Sequence, residues 1–364
     1  MKHMAEKTKI ENYKKSETQF EYENKVFLGP LRKMVKDLSG RNRPIVLPKY
    51  ISFRIQENSK KMFLNIEEQE GIRGTKKVIE NATCKNMQTD NAAFEGWAIC
   101  LKAWLPNIIE TVELKWDVPH DIEKNDNKWC HYRRFLYRVL RFSEQYPWFS
   151  VSNSNINEVE NFKRELHSLQ NNNFSKIPDP KGDFDKLSET SVEFLLSSDL
   201  SGNMIKEYDL DFIDRQFPVG IKRNKEKFFT SGLSAIDLWG AKNETLTIIE
   251  LKYIPEGVKS KNIKVGIISE LFMYSCIMRD IITGFIIRPD YTPNKNEDRF
   301  YDNIKNYSKI RANMLANEYH PLIENKEVIH IFNDYPKDNY SVDVEFKKAK
   351  YKLESSKKIH FYED

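Results

Sequence analysis

Three charged residues lie in two otherwise apolar segments of the sequence, and their types and spacing are suited to chemistry. Glu250 and Lys252 are two positions apart in Leu246–Tyr253, an apolar segment that predicts a buried strand. Side chains two positions apart on a strand point to the same face of the sheet. Asp237 lies in the preceding apolar segment, Leu233–Trp239, with twelve residues between it and Glu250. Charged groups in such strands are costly to bury unless they are paired or bind a metal ion.

The polar segment between these two strands predicts the turn of a hairpin. A turn at Gly240–Thr245 brings Asp237 beside Glu250. Two convergent carboxylates and a main-chain carbonyl, here that of Leu251, form the oxygen ligand set that Mg²⁺ or Mn²⁺ prefers. A lysine next to such an ion, here Lys252, orients an attacking water or neutralises charge on a phosphoryl group. We therefore expect the two carboxylates to lie about 4–5 Å apart on adjacent strands.

The tripeptide pattern Glu-x-Lys is not specific by itself. The sequence contains five copies, which begin at Glu23, Glu113, Glu250, Glu324 and Glu345. The copy Glu113-Leu114-Lys115 also lies on a predicted strand, Thr111–Trp116, but no aspartate lies on a hairpin partner. Only the copy at Glu250 combines the aspartate, the turn and apolar flanks on both sides. The alternative interpretation of Lys252 is a buried ion pair with an acid, without a catalytic role.

The motif that begins at Asp237, Asp-x12-Glu-Leu-Lys, resembles the PD-(D/E)xK, or restriction-endonuclease-like, nuclease superfamily. Ile236 stands where many members of that family have proline. The resemblance covers about residues 186–290. It implies a Mg²⁺-dependent phosphodiesterase in which Asp237 and Glu250 bind the metal ion and Lys252 is the catalytic lysine.

The same resemblance implies a further acid on the helix before the sheet. Leu187–Leu200 predicts that helix, and it contains two candidates, Glu189 and Glu193. The apolar stripe of the helix consists of Val192, Leu195 and Leu196. Helical spacing places Glu189 on the side of that stripe and Glu193 nearer the rim. We expect Glu189 to point toward the two strand carboxylates as a metal ligand, and Glu193 to be more exposed. Either acid could instead complement the helix dipole.

The helix after the second strand offers two further accessory residues. Val265–Arg279 predicts this helix, and Glu270 and Tyr274 lie one turn apart in it. Exonuclease-like branches of the family often carry a Gln and a Tyr at that spacing. Here Glu270 replaces the Gln, and both residues could be plain core or rim residues.

Basic residues on both sides of the proposed site predict contacts with the phosphates of a nucleic acid. They are Lys222, Arg223, Lys225, Lys259, Lys261 and Lys264. A second basic stripe, Arg134, Arg138 and Arg141, recurs at helical spacing in the predicted helix His131–Phe142 and could contact a duplex backbone. The alternative is a solvated surface in both places. The net charge of only +4 permits nucleic-acid binding without requiring it.

The 364 residues predict two domains of the α/β class behind a charged N-terminal tail at residues 1–26. Residues 27–180 form a mixed α+β accessory or recognition domain, and residues 181–364 form a nuclease domain. The boundary falls in Asn171–Asp185, which is rich in Asn, Pro, Asp and Gly. Beyond it, the predicted element order α-β-β-β-α-β implies a restriction-endonuclease-like core, a mixed sheet flanked by helices.

Several elements outside the proposed site are also predicted from periodicity. Tyr50–Gln56 is expected to be a strand and Asn91–Trp104 a helix. Near the C-terminus we expect a helix at Asp298–Glu318 and edge strands at Val328–Phe332 and Lys358–Phe361.

The sequence therefore predicts a metal-dependent nuclease, with DNA favoured over RNA by the habit of the family. Association alone suggests restriction, phage defence or mobile-element processing, with a homo-oligomer or another defence-system subunit as a partner. The alternative is a catalytically inactive nuclease-fold protein that binds nucleic acid or a partner protein. No secretion signal and no membrane-length apolar segment is present, and the four cysteines are scattered, so we expect a cytoplasmic protein with reduced thiols.

Overall fold

The computed structural model describes fourteen stretches of the chain, and its contacts divide the chain into two units. The stretches are residues 20–22, 25–26, 28–39, 45–56, 58–73, 76–120, 122–123, 126–172, 187–224, 226–229, 234–255, 264–290, 295–354 and 358–362. Unit 1 comprises Met1–Asn161 and His320–Ile331, and unit 2 comprises Phe162–Tyr319 and Phe332–Asp364. The boundary that we expected between residues 180 and 181 lies outside the described residues.

Unit 1 is built on a six-stranded mixed sheet and a separate hairpin. Its strands are β1 (Phe20–Tyr22), β2 (Lys25–Val26), β3 (Ile51–Gln56), β4 (Lys61–Ile66), β5 (Gln69–Arg73), β6 (Lys76–Glu80), β7 (Thr111–Trp116) and β8 (Phe149–Val151). The sheet has the order β2-β1-β3-β4-β7-β8, while β5 and β6 pair only with each other. β3 and β4 are antiparallel, and β4, β7 and β8 run parallel. The first two strands fall within residues 1–26, where we expected a tail.

The helices in the first half of the chain are four, as far as the described residues show. They are α1 (Leu28–Ser39), α2 (Phe94–Trp104), α3 (Asn127–Gln145) and α4 (Ile156–Glu165). The side chain of Asp126 caps α3 by accepting a hydrogen bond from the main-chain N–H of Lys128. Aromatic side chains join the helices to one face of the sheet, with Phe53 and Trp116 of the sheet packed against α2 and α3 respectively. The core of unit 1 therefore lies on that one face.

Residues 320–331 return to unit 1 through hydrogen bonds with the end of α2. The indole N–H of Trp104 donates to the carbonyl of Leu322 at 2.8 Å, and the Asn325 amide donates to the carbonyl of Ala103 at 3.3 Å. The expected edge strand at Val328–Phe332 is wrong, because these residues belong to helix α9 (Glu327–Phe332). A short apolar run does not distinguish a strand from a helix.

Unit 2 contains two sheets and the remaining helices. Its strands are β9 (Leu169–Asn172), β10 (Phe212–Pro218), β11 (Gly220–Arg223), β12 (Glu226–Lys227), β13 (Ala235–Lys242), β14 (Thr245–Lys252), β15 (Ile286–Ile287), β16 (Lys309–Ala316), β17 (Asp343–Leu353) and β18 (Ile359–Tyr362). The large sheet has the order β10-β13-β14-β16-β17-β18, and the small sheet has the order β12-β11-β9-β15. The helices are α5 (Glu189–Ser197), α6 (Ser201–Tyr208), α7 (Gly266–Ile282) and α8 (Lys295–Asp302).

The large sheet of unit 2 is covered by helices on both faces. β13 and β14 form an antiparallel hairpin, and β14, β16 and β17 run parallel. Apolar residues of α5 and α6, among them Leu196 and Met204, pack in one cluster with Leu238, Ile249 and Leu251 of the hairpin. α7 contacts β14 and β16. The molecule is thus a mixed α/β protein whose mixed sheets are flanked by helices, which confirms the predicted fold class at that level.

Another expectation fails in the middle of this sheet. We expected a helix over Asp298–Glu318, but α8 ends at Asp302 and the central strand β16 follows at Lys309–Ala316. β16 lies between two parallel strands and is buried over most of its length. Its residues from Lys309 to Met314 do alternate between polar and apolar, which is the pattern of a strand, and the expected helix overlooked that alternation.

The described residues bear on the expectations about membrane-spanning segments and about the cysteines. No helix among them has both the length and the apolar character needed to cross a membrane. All four cysteines, which are within the described part, are free thiols, as predicted.

Candidate active site

The hairpin of β13 and β14 places Asp237 and Glu250 on adjacent antiparallel strands. Leu238 pairs with Ile249, and one more step in the same register puts Asp237 opposite Glu250. The ladder between the strands ends at Leu238, and the side chain of Asp237 takes over as a partner of β14. Its Oδ2 accepts a hydrogen bond from the main-chain N–H of Leu251 at 2.8 Å. The two strands therefore separate at the point where the carboxylates lie.

Lys252 is surrounded by carboxylates from three elements. Its Nζ lies 2.7 Å from Oε1 of Glu250 on the same strand, 3.3 Å from Oε2 of Glu270 on α7, and 3.4 Å from Oε1 of Glu189 on α5. Glu250 and Glu270 are buried, whereas the side chain of Lys252 is 27% exposed. Glu270, which resembled a family position only weakly, thus belongs to the cluster. Tyr274, its partner in that pattern, is buried one turn further along α7.

The two acids of α5 are placed differently from our expectation. Glu189 does reach the cluster and also accepts a hydrogen bond from the main-chain N–H of Tyr253 at 3.4 Å, but its side chain is 43% exposed. Glu193, which we expected to be more exposed, has a side chain only 5% exposed. Glu189 is the first residue of the helix, so its side chain extends from the open end of α5. The apolar stripe correctly predicted the buried face but misplaced Glu193 relative to it.

Glu193 is held by residues of β10 that sequence reasoning missed. Its Oε1 accepts a hydrogen bond from the Gln216 amide at 2.6 Å and lies 3.8 Å from the Arg215 guanidinium. Gln216 lies opposite Asp237, because its neighbours on β10 pair with the neighbours of Asp237. It has a left-handed backbone with φ of +60°, which is uncommon for a residue other than glycine and is often found near functional sites. No sequence signal marks this conformation.

Charge and burial together shift the pKa values of the cluster. Burial raises the pKa of Asp237 to about 8, with further increases from the charges of Glu193 and Glu189 and an opposing effect of Lys252. Burial, followed by the charges of Asp237 and Glu270, raises the pKa of Glu250 well above its ordinary value. Burial alone would lower the pKa of Lys252, but the surrounding carboxylates, Glu250 first, raise it well above its ordinary value. The site thus holds an excess of carboxylates around one lysine.

The donor set of the cluster fits a divalent cation. Oε2 of Glu250 and Oε1 of Glu270 are buried without a hydrogen-bond partner, whereas Oε2 of Glu270 has only its ion pair with Lys252. A buried carboxylate oxygen without a partner is costly. No group of three or more His, Cys, Asp or Glu side chains in the described stretches is arranged to hold a metal ion. Mg²⁺ commonly uses only one or two carboxylates and keeps several waters, so Asp237 and Glu250 are a sufficient protein contribution.

Two residues far along the chain position the end of β14. The hydroxyl of Tyr351 donates to the carbonyl of Lys252 at 3.3 Å. The side chain of Asn317 accepts from the main-chain N–H of Ile254 at 2.9 Å and donates to its carbonyl at 2.7 Å, so it extends the pairing of β14 with β16. Both contacts depend on sheet neighbours that local sequence patterns do not reveal.

Three of the six basic residues that we predicted around the site lie in the described part of the chain. Lys222 forms an ion pair with Asp290 at 3.1 Å, while Arg223 donates to the carbonyl of Glu165 at 2.9 Å. Lys264 is exposed. The other three, Lys225, Lys259 and Lys261, lie outside the described residues.

The arginine stripe of α3 is wrong as a surface for phosphates. Arg138 is buried and forms a two-pronged ion pair with Glu95, at 2.6 and 2.8 Å. Arg134 is also buried, and its guanidinium lies 2.6 Å from Nδ1 of His131. Arg141 pairs with Glu144 on the same helix at 2.9 Å. Helical spacing alone does not tell whether a basic stripe faces solvent or a buried acid. Here Arg138 of the stripe faces the buried Glu95.

Comparison of the chain with protein-family models, with curated proteins and with solved structures finds no match.

Proposed function

We propose that unit 2 is a metal-dependent nuclease that hydrolyses phosphodiester bonds of nucleic acid, with DNA as the favoured substrate. The observation that carries the proposal is the cluster at the end of β14, where carboxylates from three elements surround Lys252 and two buried carboxylate oxygens, Oε2 of Glu250 and Oε1 of Glu270, lack partners. An excess of carboxylates over cationic groups in a partly buried cluster favours binding of a divalent cation. The PD-(D/E)xK resemblance of the Asp237, Glu250 and Lys252 motif supports the same reaction.

In this proposal Asp237 and Glu250 hold Mg²⁺ or Mn²⁺, with the carbonyl of Leu251 as a further oxygen ligand. Such a cation would supply Lewis acidity toward a phosphate oxygen and lower the pKa of an attacking water. Lys252 is partly exposed, so its ammonium can donate a hydrogen bond to the water or to the scissile phosphate and stabilise developing negative charge. Glu270 and Glu189 keep the ammonium in place through their ion pairs.

Protons are part of this binding reaction. Because burial raises the pKa of Asp237 to about 8, its carboxyl is largely protonated at neutral pH without a cation. Binding of a divalent cation must displace that proton, so affinity is expected to rise with pH through this range. Restriction, phage defence or mobile-element processing are the settings in which we propose that the activity operates.

A cleavage assay with a matched variant tests the proposal. Plasmid, linear duplex and single-stranded DNA, and an RNA of the same sequence, would be incubated with the full chain and Mg²⁺, Mn²⁺ or EDTA. We expect cleavage of DNA that needs the cation and is lost in Glu250→Gln. No cleavage of any substrate would contradict the proposal. If binding of nucleic acid persisted without cleavage, an inactive nuclease-fold binding protein would replace it.

A further inference from the structure

One face of the large sheet of unit 1 is open. Burial alternates along β3, β4 and β7, so that apolar side chains are buried on one face while those on the other are exposed or half-buried. The open face consists of Ser52, Arg54, Phe63, Asn65, Glu113 and Lys115. Together with the adjoining acids at the strand ends it lines a shallow cavity of about 800 Å³. We refer to these six residues as the open face.

An aromatic ring with two cations lies at the centre of the open face. Phe63 is half-buried, and it pairs with Arg54 on β3 and with Glu113 on β7. The guanidinium of Arg54 lies 5.0 Å from the centre of the Phe63 ring, and the ammonium of Lys61 lies 5.1 Å from it. Aromatic rings and guanidinium planes are the groups on which unstacked nucleobases stack.

Polar groups without partners surround the ring. Arg54 and Lys115 are exposed and have no ion-pair partner among the described residues, and the amide of Asn65 has no hydrogen-bond partner there. Lys115 is the register partner of Asn65, so the two side chains are neighbours on the open face. Lys61 does not add to the free positive charge, because it forms an ion pair with Glu113 at 2.5 Å.

Acidic residues limit the part of the open face that a polyanion can use. Glu67 accepts a hydrogen bond from Ser52 at 3.3 Å, and Asp117 accepts one from the main-chain N–H of Glu68 at 2.9 Å. These carboxylates follow the ends of β4 and β7 and repel phosphates there. Contact is therefore confined to the part around Phe63, Arg54 and Lys115, which suits one or two nucleotides.

We infer that the open face binds single-stranded nucleic acid, with an unpaired base stacked on Phe63 and Arg54. The Asn65 amide hydrogen-bonds the edge of that base, and Lys115 contacts a neighbouring phosphate. A duplex does not fit this arrangement, because its bases are stacked and their faces are hidden. A peptide strand cannot be added here either, because β4 is paired on both sides, with β3 and β7. This binding is independent of the cleavage proposed for unit 2.

Binding without cleavage tests the inference. The full chain would be titrated into a fluorescently labelled single strand of about 12 nucleotides in EDTA, and anisotropy would be measured. Phe63→Leu should weaken binding at least about 5-fold, the lower limit of a lost base–aromatic stack. The matched control is Tyr362→Leu, which removes another aromatic ring from a strand, 49% exposed, and should leave the affinity unchanged.

Two further variants test the inference even if Phe63→Leu disturbs folding. Arg54 and Lys115 are exposed, so Arg54→Gln and Lys115→Gln should fold normally. Lys115→Gln should lower the slope of log affinity against log salt by about 0.7, the value for one phosphate contact with a single strand. Arg54→Gln, which removes the guanidinium stacked on the base, should weaken binding about 2- to 5-fold. Unchanged affinity and slope in all three variants would overturn the inference, as would a blunt duplex that binds as tightly and with the same sensitivity. Because EDTA is present, absence of cleavage would not affect the result.

Discussion

The two units contain the same tripeptide, Glu-Leu-Lys, on a strand of a six-stranded mixed sheet, yet its surroundings differ. In unit 1, Glu113 and Lys115 lie on β7 on the open face, and Glu113 pairs with Lys61 in a half-exposed ion pair. In unit 2, Glu250 is buried on β14 and Lys252 is surrounded by three carboxylates. Identical residues thus form a solvated pair in one place and a charge cluster in the other.

The difference comes from the residues on the partner strands and from the helix that packs over the sheet. Glu113 lies opposite Phe63, whereas the register of the hairpin puts Glu250 opposite Asp237. Helix α7 brings Glu270 over β14, and burial then raises the pKa of Glu250 well above its ordinary value. A charged tripeptide becomes a candidate catalytic site only when partner strands and helices add like charges in a place that excludes water.

The largest expected effect is on the rate of cleavage, which should depend on the tripeptide of unit 2 and not on that of unit 1. Glu250→Gln removes a proposed cation ligand and should lower the rate of cleavage by at least about 100-fold, as loss of one group that stabilises the transition state does. Glu113→Gln, the matched change in unit 1, should leave the rate at saturating substrate unchanged. Both rates would be measured with Mg²⁺ on labelled DNA. Equal rates for the two variants would remove the distinction that we draw between the tripeptides.

Lys252→Ala should abolish cleavage and leave the fold largely intact. The reason is that the two proposed cation ligands, Asp237 and Glu250, remain in place when the ammonium is removed. If Lys252 served only as the counter-charge of a buried acid, its loss would cost roughly 3–5 kcal/mol. Thermal unfolding and cleavage would be measured together, with Lys347→Ala as a control on an exposed part of β17. A variant that still cuts at the wild-type rate would exclude a catalytic lysine.

The next effect concerns the ion pair between Arg138 and Glu95 in unit 1. Arg138→Met removes the two-pronged ion pair with the buried Glu95 and should lower the free energy of unfolding by about 3–5 kcal/mol. Arg141→Met on the same helix removes an ion pair with Glu144 and a cation–π contact with Tyr137 at a less buried position, and should cost about 1–2 kcal/mol. Urea denaturation of both variants would measure these values. A small cost for Arg138→Met would mean that the arginine is available for another role.

The smallest effect is a change in the pH dependence of stability when Asp237 is replaced. Its pKa in the folded protein, about 8, is above the ordinary value of 3.8, so the folded state holds a proton that the unfolded state releases. Without a cation, this contribution to stability is present at low pH and is lost as pH rises through 8. Asp237→Asn removes it, so the stability of wild type relative to the variant, measured by thermal unfolding, should fall as pH rises from about 5 to 8 and change little above pH 8. His320, whose pKa is lowered to about 4 by burial, contributes equally to both and cancels.

The sequence predicted the local geometry of the proposed site better than its outer parts. The expected strands Leu233–Trp239 and Leu246–Tyr253 correspond to β13 and β14, and the helix at Val265–Arg279 corresponds to α7. These elements are long and strongly apolar, and a hairpin fixes the register between adjacent strands. The separation of 4–5 Å between the two carboxylates stays a prediction.

The contributions of distant residues could not be predicted. Gln216, Asn317 and Tyr351 reach the site through strands β10, β16 and β17, and only the order of strands in the sheet brings them there. β17 was missed, and β16 was mistaken for part of a helix. For α5 the helix itself was predicted, but helical spacing could not show that Gln216 holds Glu193 in the interior.

Calorimetric titration with Mn²⁺ tests most directly whether the cluster of unit 2 is a cation site. It would be done at pH 8.5, above the pKa of Asp237, with wild type, Glu250→Gln and Glu113→Gln. We predict that wild type and Glu113→Gln bind the ion equally, that Glu250→Gln does not, and that wild type binds more weakly at pH 6.5 with release of a proton. Absence of binding to wild type, or equal binding to Glu250→Gln, would contradict the account.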